Sequence, residues 1–204
     1  MSQPKEKSSI LLVIAGPAGS GKSTLCERLM TEYESVERVV TSTTRSPREG
    51  ESHGVDYYFF DNATFDQKIQ ESAFIEWAKV HANRYGTLKS VIEEKLEQDI
   101  DLVINVDVQG VINFKKAALE NELIGQRLVT VFVNVPDFEE LTQRLKSRGQ
   151  DDDAEIARRM ETAKWELEQW KLFDYVITST SKEEDYAAID SVLQAEKRRT
   201  KRLA

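Results

Sequence analysis

The sequence predicts an α/β protein built on a parallel sheet. Short apolar runs recur at residues 10–15, 101–106, 128–135 and 175–178, and longer stretches with helical spacing separate them. The run at 10–15 is unbroken and rich in β-branched residues, which is typical of a strand buried on both faces. Strands that alternate with helices form parallel sheets, because each connecting helix packs back on a face of the sheet.

Composition argues against several classes of protein. The chain has 204 residues, enough for one domain of ordinary size, and its net charge of −8 argues against a general nucleic-acid partner. No apolar run approaches the roughly 18 residues of a membrane span, so no membrane partner is expected. The single cysteine, Cys26, cannot form an internal disulfide. A reducing, cytoplasmic location is therefore expected, and both a monomer and a homo-oligomer are compatible with the sequence.

The strongest motif is GPAGSGKS at residues 16–23, which fits the phosphate-loop pattern G-x-x-x-x-G-K-[ST] in full. A predicted strand precedes it and a predicted helix follows. Glycines let backbone N–H groups wrap a phosphate chain, and the helix N-terminus adds partial positive charge. Lys22 is expected to act as a catalytic residue on the β and γ phosphates, and Ser23 to bind Mg²⁺. The residues assigned to the triphosphate are Gly16, Pro17, Ala18, Gly19, Ser20, Gly21, Lys22, Ser23 and Thr24.

A GTPase is one alternative for such a loop. The sequence DVQG at residues 107–110 matches the D-x-x-G element of GTPases. Those proteins also read guanine with an N-K-x-D element after a later strand, and the nearest sequence here, SKEE at 181–184, lacks both the Asn and the Asp. A kinase is therefore favoured over a GTPase.

A second pattern, TTRSPREGESHGVDYYF, covers residues 43–59. Arg45 and Arg48 lie in a turn-rich stretch, and Tyr57 follows on an aromatic strand predicted at 55–60. Two guanidinium groups and a phenol suit a doubly charged phosphate monoester, because planar N–H forks match phosphate oxygens. Considered without Tyr57 and the flanking pattern, the two arginines are better explained as solvated surface residues.

Three further segments strengthen this pattern: FIEWA at 74–78, NRYGT at 83–87 and DVQG at 107–110. Together they resemble the guanylate kinase family. The resemblance implies a P-loop NTPase fold, a parallel sheet flanked by helices with an inserted GMP-binding lobe and a helical lid. It also implies transfer of the γ-phosphoryl group of ATP to GMP, with Mg²⁺. The implied boundaries are a core at 10–38, 89–141 and 166–204, a GMP-binding lobe at 39–88 and a lid at 142–165.

The resemblance also implies the contacts to GMP. Four residues would hold its phosphate, and four others would surround guanine: Arg45, Arg48, Tyr57 and Tyr85 for the phosphate, and Thr41, Glu76, Thr87 and Asp107 for the base. Chemistry supports a carboxylate at Glu76, because guanine presents N1–H and N2–H side by side while adenine presents a bare lone pair at N1. Such a site rejects the wrong base strongly.

The segment RLKSRG at 144–149 and the sequence IARRM at 156–160 resemble the lid of the family. Arg148 and Arg159 are expected to act as catalytic residues together with Lys22 and Arg45, and Arg144 ranks next. Arginines there would stabilise charge on the moving phosphoryl group. The plainer interpretation is a charged, exposed helix.

Some positions depart from the family. Asn105 stands where a carboxylate is usual, Gln150 replaces a Thr, and Ser179 replaces an Asn. Two rivals stay open. A non-catalytic binding module is disfavoured because the loop keeps its glycines, Lys22 and Ser23, and a P-loop kinase for another small phosphate is disfavoured by Glu76 and Asp107.

Overall fold

A computed structural model describes residues 9–80, 82–147 and 153–202. The strands in chain order are β1 (Leu11–Ala15), β2 (Val36–Arg38), β3 (Ser42–Thr43), β4 (Tyr58–Phe59), β5 (Phe74–Val80), β6 (Asn83–Leu88), β7 (Asp101–Asn105), β8 (Leu128–Asn134) and β9 (Tyr175–Thr178). The helices are α1 (Lys22–Glu32), α2 (Asn62–Gln70), α3 (Lys89–Glu97), α4 (Val108–Glu120), α5 (Glu122–Arg127), α6 (Phe138–Ser147), α7 (Asp153–Glu168) and α8 (Lys182–Lys197).

The main sheet has five parallel strands in the order β2-β7-β1-β8-β9. Every residue of β1 is buried, because β7 and β8 pair with it on both sides and helices cover both faces. Alternate β1 side chains enter two apolar clusters, one with Leu29 of α1 and Ile189 of α8, the other with Phe114 of α4. The predicted parallel sheet flanked by helices is confirmed.

The carboxyl ends of parallel strands lie at one edge of the sheet, where open α/β sheets bind ligands. Three segments of the candidate site follow strands at this edge: residues 16–21 after β1, 106–107 after β7 and 179–181 after β9. The topology therefore gathers segments that are far apart in the sequence.

A second, four-stranded sheet has the order β4-β3-β6-β5 and contains residues 42–88 only. It falls within the predicted GMP-binding lobe, while α6 and α7 contain the described part of the predicted lid. Helix α7 continues through residue 165 to Glu168 without a break. The exact lobe boundaries stay a prediction.

The aromatic strand predicted at 55–60 is shorter in the structure, where only Tyr58 and Phe59 form β4. Residues before it form a turn, since the N–H groups of Val55 and Asp56 both donate to the Ser52 carbonyl. The Asp56 carboxylate accepts the Ser52 N–H at 2.7 Å and holds that turn. None of the helices in the described ranges has the length and apolar character needed to cross a membrane.

The basic end of the chain includes a buried ion pair. Arg202 donates to the Glu196 carboxylate from Nε at 3.0 Å and from Nη2 at 2.8 Å, and both side chains are 1% exposed. Arg202 also donates to the Gln126 carbonyl at the end of α5. Burial raises the pKa of Glu196, but the bonds from Tyr175, Arg202 and Arg199 together outweigh burial and leave this pKa below its usual range. Arg202 therefore ties the end of α8 to the end of α5.

We expect Arg202→Ala to lower the free energy of unfolding by about 3 kcal/mol, because it leaves a buried carboxylate with fewer partners. Urea unfolding at pH 7 measures this loss. Since the folded pKa of Glu196 is lowered, its contribution is present above the ordinary carboxyl pKa and is lost as pH falls through the folded value. The exposed Arg198→Ala is the control, and equal losses in the two variants would contradict the prediction.

Candidate active site

The phosphate loop turns sharply between β1 and α1. Gly16, Gly19 and Gly21 have φ values of 144°, 91° and 96°, a region that favours glycine. A Cβ atom on Gly16 would lie 2.3 Å from the Val133 carbonyl oxygen of β8. The loop can follow this path only with glycine at its first position.

Lys22 begins α1 and folds back over the loop. Its Nζ donates to the carbonyl oxygens of Gly16 at 2.6 Å and Pro17 at 2.8 Å. Ser23 is exposed beside it, and its Oγ accepts from Asn105 Nδ2 at 3.3 Å. The loop lysine and the predicted metal ligand therefore lie together at the N-terminus of α1.

A cavity of about 370 Å³ opens between the phosphate loop, the end of β7 and helix α7. Of the predicted catalytic residues, it brings together Lys22 and Arg159, and it adds Asp107 from the predicted guanine set. Arg159 Nε donates to Glu155 at 3.1 Å. Arg148 and Gln150 lie outside the described residues. The full lining is Gly16, Ala18, Lys22, Asn105, Val106, Asp107, Arg159, Thr162 and Glu166.

A second cavity of about 480 Å³ lies beside the phosphate loop, between α1 and the start of α8. Arg144 lines this cavity rather than the first, since Glu140 holds its guanidinium at 2.6 Å and its Nη1 donates to Ser179 Oγ at 3.1 Å. Ser179 in turn donates to the Asp185 carboxylate at 2.7 Å. The one donor of the Ser179 hydroxyl is therefore already engaged by Asp185, a residue that the sequence analysis missed.

Glu76 and Thr87 face each other across the second sheet. They are paired in the antiparallel register of β5 and β6, and Thr87 Oγ1 donates to Glu76 Oε1 at 2.6 Å. Burial raises the pKa of Glu76, the Thr87 bond lowers it, and the negative charge of Asp107 adds to the rise. Thr41 immediately precedes β3, which pairs with β6. Three of the four predicted guanine contacts are therefore connected: Glu76 pairs with Thr87, and the charge of Asp107 acts on Glu76.

Asp107 caps the N-terminus of α4. Its Oδ1 accepts the N–H of Gly110 at 2.7 Å, which fixes the side chain at the end of β7. The match to D-x-x-G therefore has a local structural cause, because an Asp at the N-cap accepts a first-turn N–H.

The predicted phosphate contacts converge on Arg45. Its guanidinium lies 5.4 Å from the centre of the Tyr57 ring, and the centres of the Tyr57 and Tyr85 rings are 6.1 Å apart. The bond to Glu51 has the largest effect on the Arg45 pKa and raises it, and a bond to Tyr85 raises it further. The side chain of Arg48 is exposed at the edge of this group. The structure therefore brings Arg45, Tyr57 and Tyr85 together.

Glu51 organises this group, a role that the sequence analysis did not assign. Its carboxylate forms two bonds of 2.8 Å with the Arg45 guanidinium and accepts the Arg48 backbone N–H at 2.7 Å. The Arg45 and Arg48 bonds lower the pKa of Glu51 to about 2. The signal in the sequence was the position of Glu51, an acidic residue three positions after Arg48 in the pattern at residues 43–59.

Comparison with known proteins decides the family. The family model described as guanylate kinase matches residues 8–196. The chain belongs to the guanylate kinase family. A guanylate kinase from Polaromonas sp. is 37% identical over 187 residues, which are 92% of this chain and 87% of the relative. One from Clostridioides difficile is 35% identical over 196 residues, covering 96% and 92% of the two chains.

Among solved structures of the guanylate kinase family, the one from Anaplasma phagocytophilum superposes with a TM-score of 0.69 at 28% identity. The match covers 98% of this chain and 92% of that chain. The predicted family, P-loop fold and kinase class are confirmed. The roles of the individual residues stay predictions.

We expect Glu51→Gln to lower kcat/KM for GMP by about tenfold or more, because a neutral amide cannot hold both the Arg45 fork and the Arg48 N–H. The KM for the triphosphate should not change. Steady-state kinetics with varied GMP measure the effect.

Glu49→Gln is the matched control, since it removes the same charge from an exposed neighbour in the same loop. Removing a negative charge should by itself favour phosphate binding, so the two effects differ in sign. A Glu51 variant that behaves like the Glu49 variant would show that orientation of Arg45 has no influence.

Proposed function

We propose that this chain transfers the γ-phosphoryl group of ATP to GMP, giving ADP and GDP. One observation carries the choice of acceptor. The carboxylate of Glu76 is partly buried, accepts a hydrogen bond from Thr87, and lies close enough to Asp107 for the two negative charges to interact. Guanine would give such a carboxylate two N–H donors. These donors favour the ionised form of Glu76 and offset the cost of its burial.

The GMP phosphate would bind at Arg45, Arg48, Tyr57 and Tyr85. The Glu51 carboxylate already binds one edge of the Arg45 guanidinium. The remaining N–H groups of Arg45 are therefore fixed in direction before GMP binds. The GMP phosphate is ionised at neutral pH and is itself nucleophilic. The reaction therefore requires no general base.

ATP would place its phosphates on the loop N–H groups at 16–24 and its base in the cavity between α1 and α8. Lys22 would leave the carbonyls of Gly16 and Pro17 and turn to the β and γ phosphates, where its positive charge stabilises the developing negative charge. Arg159 would approach the same phosphates from α7, and Arg148 is proposed as its companion.

Mg²⁺ fits the donors present, since Ser23 Oγ and the Asn105 amide are adjacent and Asp107 lines the same cavity as Asn105. Hydroxyl and amide oxygens are ligands that Mg²⁺ accepts, with the phosphates and waters completing its shell. Ser23 is the proposed protein ligand. When bound, the ion neutralises charge on the β and γ phosphates.

A cytoplasmic location is part of the proposal, because ATP and GMP are cytoplasmic metabolites. The single cysteine, Cys26, is compatible with this location, because it forms no internal disulfide that would require an oxidising compartment.

The direct test is a coupled assay of ADP formation with GMP, AMP, CMP and UMP as acceptors. We expect kcat/KM for GMP to exceed that for AMP by a factor of about 10⁴ or more. The reason is that adenine would leave polar groups of the site without hydrogen-bond partners. Equal turnover with AMP, or ADP formation that does not depend on any of the acceptors, would overturn the proposal.

Glu76→Gln tests how guanine is read. The amide replaces one acceptor with a donor that meets a guanine N–H. We therefore expect kcat/KM for GMP to fall by an amount that corresponds to a loss of about 2 to 4 kcal/mol in transition-state binding. The ratio of GMP to AMP turnover should fall with it. Glu71→Gln, at an exposed position in the same lobe, is the control, and unchanged GMP kinetics in the Glu76 variant would show that Glu76 does not contact the base.

A further inference from the structure

One face of α7 points into the cavity beside the phosphate loop. Arg159, Thr162 and Glu166 all line this cavity, and their spacing of three and four residues places them on the same side of a helix. Lys22 and Asp107 line the cavity from the other side. The chemistry proposed above accounts for Arg159, Lys22 and Asp107, but not for Glu166.

Glu166 is 6% exposed, whereas Glu161 and Glu168 on the same helix are exposed to solvent. Burying a carboxyl group is costly unless partners compensate for the lost water. A carboxylate beside a site for phosphates also repels the ligands. Its presence there calls for a specific function.

The partners of Glu166 lie on two parts of the core. Burial is the main cause that raises the pKa of Glu166 to about 7, and the negative charge of Asp107 adds to the rise. The positive charge of Lys22 and the backbone N–H of Val108 oppose it. Val108 is the first residue of α4, where backbone N–H groups have no partner within the helix. Glu166 also lines the same cavity as Lys22 of the phosphate loop and Asp107, the residue before α4, so it lies next to both parts of the core.

Helix α7 transmits the position of Glu166 to Arg159. The helix is continuous from Asp153 to Glu168, and Arg159 lies about 10 Å from Glu166 along the helix axis. Ile156 and Ala163 are also buried on α7, and their packing turns this side of the helix inward. A directional polar interaction at Glu166 would restrict the rotation of the helix about its axis further.

We propose that Glu166 is a positioning residue that fixes α7 to the phosphate loop and to the N-terminus of α4, so that Arg159 lies over the transferred phosphoryl group. The inference rests on the proposed function for the identity of that group. Glu166 itself makes no contact with the reacting atoms in this mechanism. It acts through the placement of Arg159.

The test compares Glu166→Gln and Glu166→Ala with the same two changes at the exposed Glu168. Gln keeps an acceptor for the Val108 N–H but loses the attraction to Lys22, and Ala loses both. We expect kcat to fall about threefold for Gln and about thirtyfold for Ala, as for a small misplacement of a catalytic group. The KM values for GMP and ATP should not rise more than about threefold, because the proposal gives Glu166 no contact with either nucleotide and loss of its negative charge does not weaken phosphate binding. Both Glu168 variants should match the parent.

A double-mutant cycle with Arg159→Ala separates positioning from a general structural effect. If Glu166 acts through Arg159, Glu166→Ala should change kcat less than about threefold once Arg159 is absent. A thirtyfold loss that persists in the Arg159→Ala background would overturn the inference, and so would Glu166 variants with the kcat of the parent.

Thermal unfolding of the ligand-free variants checks that each is folded. If Glu166→Ala does not fold, the isosteric Gln variant is carried through the same cycle with Arg159→Ala. Its threefold loss must then disappear for the inference to hold. A parent without GMP-dependent ADP formation contradicts the proposed function. An active parent with an unchanged Glu166 series contradicts this inference alone.

Discussion

The close approach of the phosphate loop to β8 is the constraint on which the rest of the site depends. The chain leaves β1, the most buried strand, and at Gly16 it passes so near the Val133 carbonyl that no side chain fits there. This path starts α1 at Lys22 and sets the lysine above the loop. The segments after β7 and β9 meet the loop because parallel strands end at the same edge.

The charged groups around this edge are carboxylates next to a lysine rather than a uniform basic patch. Asp107 interacts electrostatically with both Glu76 and Glu166, and Lys22 opposes the effect of burial on Glu166. A protein with a net charge of −8 can still bind two anionic nucleotides, because the local charges decide the field at the site. Each carboxylate is held by a specific donor, such as Thr87 at Glu76 and the Gly110 N–H at Asp107.

The arginines of the site are likewise held by specific partners. Arg45 is held by Glu51, Arg144 by Glu140 and Arg159 by Glu155, so each guanidinium is paired with a carboxylate in the structure. The functional difference among them comes from what else they face. Arg45 faces two tyrosines, Arg159 faces the cavity with Lys22, and Arg144 faces Ser179 beside the second cavity.

The sequence by itself determined the sheet, the phosphate loop and the family, because buried strands, glycine turns and the T-T-R and F-I-E patterns are local and leave a direct trace in the order of residues. It also predicted the residues around GMP, with their roles still to be measured. Only the tertiary structure showed that further carboxylates face the site. Asp185 and Glu166 occur in charged stretches where many acidic residues are solvated, and no local pattern separates them from Glu184 or Glu168. Their positions depend on which helix face or turn packs inward, and that follows from contacts between segments far apart in the chain.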